Sequence, residues 1–254
     1  MADDELLGAG NAGQETDVER ARIAHELIAA VRGLPPSDVP AALCRVCVTL
    51  LPVASGLSVS VLGDGTEMGV VLCASDDVAA RLAEVQYTLG EGTCMEAVRL
   101  RAPVFATDLT RMPDSRRWPL FAAQAARSGA EAAFSLPLTG AGRAIGTLDL
   151  YRGTPGRLSR GEVRTALLVA EAVTLTVIAL DHASPAPEGV LTWLAGAESD
   201  REEVHQATGM IMVWLGVSAE EALLRVRARA FAEGRTSVEI ARAIIDRTMD
   251  LRDD

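Results

Sequence analysis

Apolar residues recur at helical spacing from Thr16 to Val31, through Val18, Ile23, Leu27, Ile28 and Val31, until Gly33 and Pro35-Pro36 stop the run. Ser37 or Asp38 is placed to cap a second helix reaching about Leu51, with Leu43, Val46, Cys47 and Leu50 on one face. The period then changes from helical to alternating. Leu57, Val59 and Val61 alternate with Ser58, Ser60 and Leu62, and Val70 to Cys73 follow a Gly63-Asp64-Gly65 turn, which predicts a hairpin. A short helix from Asp76 to Val85 leads into the loop Leu89-Gly90-Glu91-Gly92-Thr93, where Thr93 and Glu96 have the spacing of a capping box.

Pro103 to Ala106 reads as a brief strand and Trp118 to Arg127 as a helix ended by Gly129. Ala132 to Leu138 and Ala144 to Tyr151 read as paired strands, after which Ser159 caps a long helix from Gly161 to about His182. Helices, strands and crossover helices in this order suit an α+β domain with an antiparallel sheet. The expected divisions are a flexible tail over 1–15, a sensor-sized domain over 16–182, a linker with two prolines over 183–189 and an all-helical module over 190–254. In that module three helices are expected. The first runs from about Asp200 to Leu215 with Val204, Thr208, Ile211 and Leu215 on one face. The second follows a Ser218/Glu221 capping pair, and the third follows Thr236/Glu239.

Composition narrows the function. No apolar stretch is long enough for a membrane helix, since Ala166 to Leu180 is broken by Glu171, Thr174 and Thr176, so a cytoplasmic protein is expected. All 24 basic residues are Arg, and the net charge of −11 argues against indiscriminate nucleic-acid or anionic-membrane binding. Cys44, Cys47, Cys73 and Cys94 do not suggest a disulfide framework. With His25, His182 and His205 the only histidines, no metal site is expected. Cys44-Arg45-Val46-Cys47 is a C-x-x-C in form, but lies inside an amphipathic helix. Cys94 opens a helix, where the macrodipole can lower a thiol pKa, so it is the redox candidate beside the alternative of an inert thiol. No phosphate-binding, nucleophile-elbow or paired-His motif appears, so no catalytic residue is assigned and the chain is read as a non-enzyme.

The words Leu89-Gly90-Glu91-Gly92-Thr93-Cys94-Met95-Glu96-Ala97, Pro103-Val104-Phe105 and Ser135-Leu136-Pro137-Leu138 resemble GAF domains of bacterial signalling proteins. Val204-His205-Gln206-Ala207-Thr208-Gly209-Met210-Ile211-Met212, then Ser218-Ala219-Glu220-Glu221-Ala222, Arg227, Ala230 and Ile240-Ala241, resemble an ANTAR domain. The chain is thus similar to actinobacterial GAF–ANTAR regulators. That resemblance implies a homodimer that binds paired RNA hairpins and controls transcription termination or antitermination, with the transcription machinery as a further partner. Thr208 stands where many members carry a basic residue, so a phosphate contact made there in relatives is missing.

Eight Arg against twelve acidic residues give the module a net charge of −4, so it should read the shape of looped RNA with a few placed contacts. The candidates on helix one are Arg201, His205, Gln206 and Thr208, with Ala207, Gly209 and Met212 of the same motif; beyond it stand Arg225, Arg227, Arg229 and Arg235. A solvated Arg/Glu stripe is the plain alternative. GAF domains commonly hold a small molecule between sheet and crossover, and here the crossover supplies Tyr87, Cys94, Phe105, Asp108, Trp118 and Phe121. A filled core is the alternative for these. A DNA-binding regulator, or a sensor that acts only through protein contact, stays open beside the RNA-binding reading.

Overall fold

The computed structural model describes residues 2–62, 69–183 and 195–251. Helix α1 (Ala2–Val31) and α2 (Val39–Leu50) precede strands β1 (Gly56–Leu62) and β2 (Gly69–Ala74). The crossover holds α3 (Asp77–Leu89), α4 (Thr93–Leu100), β3 (Val104–Ala106), α5 (Asp114–Arg117) and α6 (Pro119–Arg127). Strands β4 (Ala132–Gly140) and β5 (Arg143–Arg152) and helix α7 (Arg160–Ala183) complete the first domain. Helices α8 (Ala195–Leu215), α9 (Ala219–Glu233) and α10 (Ser237–Ile245) form the second. The five strands lie in the order β2-β1-β5-β4-β3, every neighbouring pair antiparallel.

The α+β architecture agrees with the alternation and helical periods of the chain. One boundary differs. Helix α1 begins at Ala2, inside the stretch read as a tail; that stretch lacks proline, and its acidic residues fall where a helix favours negative charge. The Gly63-Asp64-Gly65 turn and all of the expected linker but Ala183 lie outside the described residues.

One face of the sheet is hydrocarbon. Leu57, Val59 and Val61 of β1, Phe134, Leu136 and Leu138 of β4, and Leu148 and Leu150 of β5 pack with Ile23 and Leu27 of α1, Leu43 and Cys47 of α2, and Val169, Val173 and Val177 of α7. Ser159 anchors α7: its hydroxyl accepts from the Glu162 amide at 3.2 Å while the Glu162 carboxylate accepts from the Ser159 amide at 2.6 Å. A second cluster gathers Leu82, Val104, Ala106, Trp118, Phe121 and Ala133 under the crossover helices. The third lies wholly in the C-terminal trio and includes Val204, Ala207, Ile211, Val226, Ala230, Ile240 and Ile244.

The trio owes its corners to two caps. Ser218 accepts from the Glu221 amide at 3.2 Å, but the Glu221 carboxylate turns to Arg225, so only half of that expected box forms. Thr236 and Glu239 make the full reciprocal pair, at 3.1 and 2.8 Å. Gly234 between α9 and α10 has φ +65°, a left-handed conformation that glycine adopts without strain.

Gly146 lets β1 and β5 meet. A β-carbon there would stand 2.1 Å from the Ser60 carbonyl oxygen, a backbone atom that no side-chain rotation can clear. Gly146→Ala is therefore expected to destabilise the chain by about 1–3 kcal/mol, read as a lower urea midpoint. An unchanged midpoint would contradict this register.

Candidate functional site

The second face of the same sheet is polar and buried. Ser58 of β1, Ser135 of β4 and Thr147 and Asp149 of β5 all face the crossover helices, each no more than 8% exposed. Strand alternation puts them there: Ser58, Ser135 and Asp149 each lie between two residues of the hydrocarbon face, and Thr147 directly precedes one, Leu148. Buried hydroxyls and carboxylates need partners. The Thr147 hydroxyl donates to Asp149 Oδ2 at 2.7 Å, and the Ser135 hydroxyl donates to Thr93 Oγ1 at 2.8 Å. Asp149 Oδ1 has no hydrogen-bond partner. Burial lifts the Asp149 carboxyl to about 6, against the opposing pull of the neighbouring Ser135 and Thr147 hydroxyls.

This network seats α4. Thr93 is the first helical residue rather than the cap, because its hydroxyl is committed to Gln86 Oε1 at 3.2 Å. Gln86 acts as the cap, its Oε1 accepting also from the Cys94 amide at 2.8 Å. Gly92, at φ +137°, allows this: a β-carbon there would fall 2.5 Å from Gln86 Oε1. Glu96, expected to close a box with Thr93, instead pairs with Arg117 at 2.5 Å and accepts from Trp118 Nε1 at 3.1 Å. Glu91 accepts from the Leu120 and Phe121 amides at 2.9 and 3.1 Å and so caps α6.

Over the hydroxyl face opens a cavity of about 500 Å³. Its floor is Ser60, Gly146 and Thr147; Val70 and Val71 of β2, Arg81, Glu84 and Tyr87 of α3, and Cys94, Met95 and Val98 of α4 form the walls. The remaining wall belongs to the other domain: Val204 of α8, Thr236 at the head of α10, and Val238, Glu239 and Arg242 of α10. Arg242 is held there by Glu203 at 2.7 Å. Close to the cavity α3 meets the helical trio directly. The Thr88 hydroxyl donates to Glu84 at 3.3 Å and accepts from the Ser237 hydroxyl and amide at 3.3 and 3.4 Å. The Arg227 guanidinium lies 5.6 Å from the centre of the Tyr87 ring.

Of the residues read as a pocket, Tyr87 and Cys94 line this cavity. Phe105 does not; it meets Phe134 edge-on at 5.7 Å and packs on the hydrocarbon core. Trp118 and Phe121 fill the second cluster, at 4% and 0% exposure. Asp108 holds its own turn, accepting from Thr110 Oγ1 at 2.5 Å and from the Thr110 amide at 3.0 Å, and the hydroxyl keeps its carboxyl below the usual value. Burial, then the Asp149 charge, push the Cys94 thiol well up, which outweighs the helix terminus expected to lower it. Ser60, Thr147, Val238, Glu239 and Arg242 were not anticipated. The serines alternating along β1 were the available signal, but alternation alone reads equally well as a solvent face.

In the trio, His205, Gln206, Gly209 and Met212 are exposed along α8. Ala207 and Thr208 are not: Ala207 is fully buried, and Thr208 turns inward with its hydroxyl donating to the Val204 carbonyl at 2.6 Å. At i+4 from Val204, Thr208 belongs to the core stripe. Arg225 and Arg229 pair with Glu221 and Glu233 at 2.9 and 2.7 Å, and Arg235 pairs with Glu233 at 3.1 Å while donating to the Glu239 carbonyl. Arg227 faces the sensor; the Arg201 side chain lies outside the described residues. Among the described residues no group of three or more His, Cys, Asp or Glu converges to hold a metal ion. Nor is any single helix there long and apolar enough to cross a membrane.

Comparison with known families agrees with this two-part build. The GAF domain family matches residues 35–177, more than half the chain, and the ANTAR domain matches residues 194–245. The chain belongs to the GAF domain family and carries an ANTAR domain behind it. Both are regulatory domains, which makes this a signal-responsive regulator of the GAF–ANTAR kind. Similar solved structures include the GAF domain of an Acinetobacter phosphoenolpyruvate-protein phosphotransferase, 13% identical over 70% of this chain and 98% of that one, with a TM-score of 0.48. The corresponding Coxiella burnetii domain is 14% identical over 64% and 94%, and free methionine-R-sulfoxide reductase from Neisseria meningitidis, solved with its substrate, 15% over 65% and 92%; both have TM-scores of 0.47. No curated protein matches the chain.

Asp149 gives the cavity face a pH signature. The folded chain holds this proton more tightly than the unfolded chain, so the contribution is most favourable below about pH 4 and is lost as pH rises through about 6. Ionising the buried carboxyl costs on the order of 2–3 kcal/mol. Asp149→Asn is expected to raise the melting temperature at pH 7 and to do little at pH 4. Equal effects at both pH values would contradict the burial argument.

Proposed function

We propose that this chain is a cytoplasmic, dimeric regulator whose ANTAR domain binds hairpin RNA to control transcription termination or antitermination, under control of a small molecule sensed by the GAF domain. The observation that carries this reading is the exposed stripe His205, Gly209 and Met212, flanked by Gln206, inside the segment that matches the ANTAR family. Nothing lies within 4 Å of where a Gly209 β-carbon would be, so a nucleic-acid backbone or a second copy has room to approach. The exposed edges offer imidazole, amide and thioether groups rather than a row of cations. Together with the module's net charge of −4, that chemistry suits unstacked bases in loops better than a duplex backbone.

The cavity supports the sensing half of the reading. Valine, methionine and tyrosine side chains share its walls with Arg81, Glu84, Glu239 and Arg242, and hydroxyls form its floor, a setting for a small ligand with both apolar and hydrogen-bonding groups. Because α8 and α10 supply part of the wall, a ligand there touches both domains. Arg227 stands against α3 over Tyr87 in this arrangement, so an RNA contact made by it requires the module to move away from the sensor.

The test is binding of the full chain to an RNA carrying two adjacent hairpins, against duplex DNA of equal length. Tight RNA binding is expected, with His205→Ala/Gln206→Ala weakening it about tenfold or more, ~1.4 kcal/mol, at unchanged melting temperature. Equal affinity for duplex DNA would favour a DNA-binding regulator, and untouched binding in the double variant would remove α8 from the interface. Thr88→Val takes the acceptor from Ser237 and is expected to tighten RNA binding several-fold, measured by the same titration; weaker binding would refute release from α3.

A further inference from the structure

Away from the cavity, on the hydrocarbon face of the sheet, three thiols gather between α2 and β2. Cys44 and Cys47 lie one turn apart on α2, at 5% and 0% exposure, and Cys73 lies partly exposed on β2. Their meeting depends on an irregularity in the sheet. Val59 pairs with Cys73 and Ser60 with Val71, so Leu72 is an extra residue on β2. In a regular ladder Leu72 would take the place opposite Val59 and Cys73 would point toward the cavity. The bulge turns Cys73 onto the face of Val59, where it packs against the core that holds Cys44 and Cys47. There the Cys73 thiol hydrogen-bonds to Cys44.

The geometry points to a redox modification site formed by Cys44 and Cys73, which a hydroperoxide-class oxidant converts to a disulfide joining α2 to edge strand β2. The Cys44 thiolate attacks one peroxide oxygen; the O–O bond breaks, an S–O bond forms, and the departing oxygen leaves as alcohol, or as water from hydrogen peroxide, after taking a proton from solvent. Cys73 then attacks the Cys44 sulfenic sulfur; the S–O bond breaks, the S–S bond forms, and water leaves with the Cys73 proton. Two thiols lose two electrons and one hydroperoxide gains them. The hydrogen bond from Cys73 holds the Cys44 thiol below the ordinary cysteine value, which suits Cys44 as attacking sulfur and Cys73 as resolving thiol. Burial pushes Cys47 up to about 12 and leaves it the poorer nucleophile. Access runs past Cys73, since β2 is an end strand of the sheet.

The pairing thus crosses the fold instead of following the C-x-x-C spacing of Cys44 and Cys47. It also reaches the cavity, because Val70 and Val71 of the same strand line it.

Peptide mapping decides the point, provided two proteases are used. No Arg lies between residues 46 and 81, so trypsin leaves Cys47 and Cys73 on one fragment; a glutamate-specific protease divides it after Glu67. The reduced full chain is treated with hydrogen peroxide, alkylated and digested without reductant. Free thiols are expected to fall from the chain's four to two, with fragment 33–45 linked to 68–81 and the link reversed by dithiothreitol. Cys44→Ser and Cys73→Ser should each abolish the link, and Cys47→Ser should keep it. A link from 33–45 to 46–67, a link that forms only in urea, or four thiols surviving in the folded wild-type chain would each overturn the proposal.

Discussion

The fold rests on one constraint: a single antiparallel sheet must satisfy two chemically different faces. Its hydrocarbon side needs only volume, and α1, α2 and α7 supply that. The opposite side carries Ser58, Ser135, Thr147 and Asp149 out of water, and each polar atom buried there costs free energy unless something bonds to it. The crossover helices are arranged as the answer. Gln86 reaches from α3 to the head of α4, Thr93 reaches down from α4 to Ser135, and Thr147 turns to Asp149. What is left over is one buried carboxylate oxygen, Oδ1 of Asp149.

Helix α3 carries this arrangement to the second domain. Asp76 caps its start by accepting from the Ala79 amide at 2.9 Å and is itself tied to the sheet by the Tyr151 hydroxyl at 3.1 Å. Midway along, Arg81, Glu84 and Tyr87 look into the cavity, and at the far end Thr88 bonds to Ser237. One rigid element thus touches sheet, cavity and helical trio. Under the proposed function, coupling needs an element that both sites can bias, and α3, thirteen residues long, is the one that touches both.

Local chemistry was legible in the sequence wherever a residue acts on its own neighbours. Ser159 with Glu162 and Thr236 with Glu239 cap the helices they precede, because such caps are settled within four residues. The apolar periods likewise announce α2, α7 and α9. Where a residue answers to a distant partner, the local reading fails. Thr93 and Glu96 have the right spacing for a box, yet Gln86 claims one and Arg117 with Trp118 the other. The crossover aromatics were too attractive as a pocket: Trp118 and Phe121 are the bulk that a domain poor in aromatics needs to fill its second core. The cavity was hidden for a related reason, since half of its wall comes from α3 and α4 and another part from helices well over a hundred residues later.

Strand β2 has a neighbour on one side only. A central strand that slides must break two ladders of hydrogen bonds; this one breaks a single ladder, and its bulge has already left that ladder incomplete. It also has a side chain lining the cavity, a thiol against α2 and a packing contact with α8. A shift of that strand's six residues would break the ladder to β1 alone and leave the other three ladders of the sheet intact.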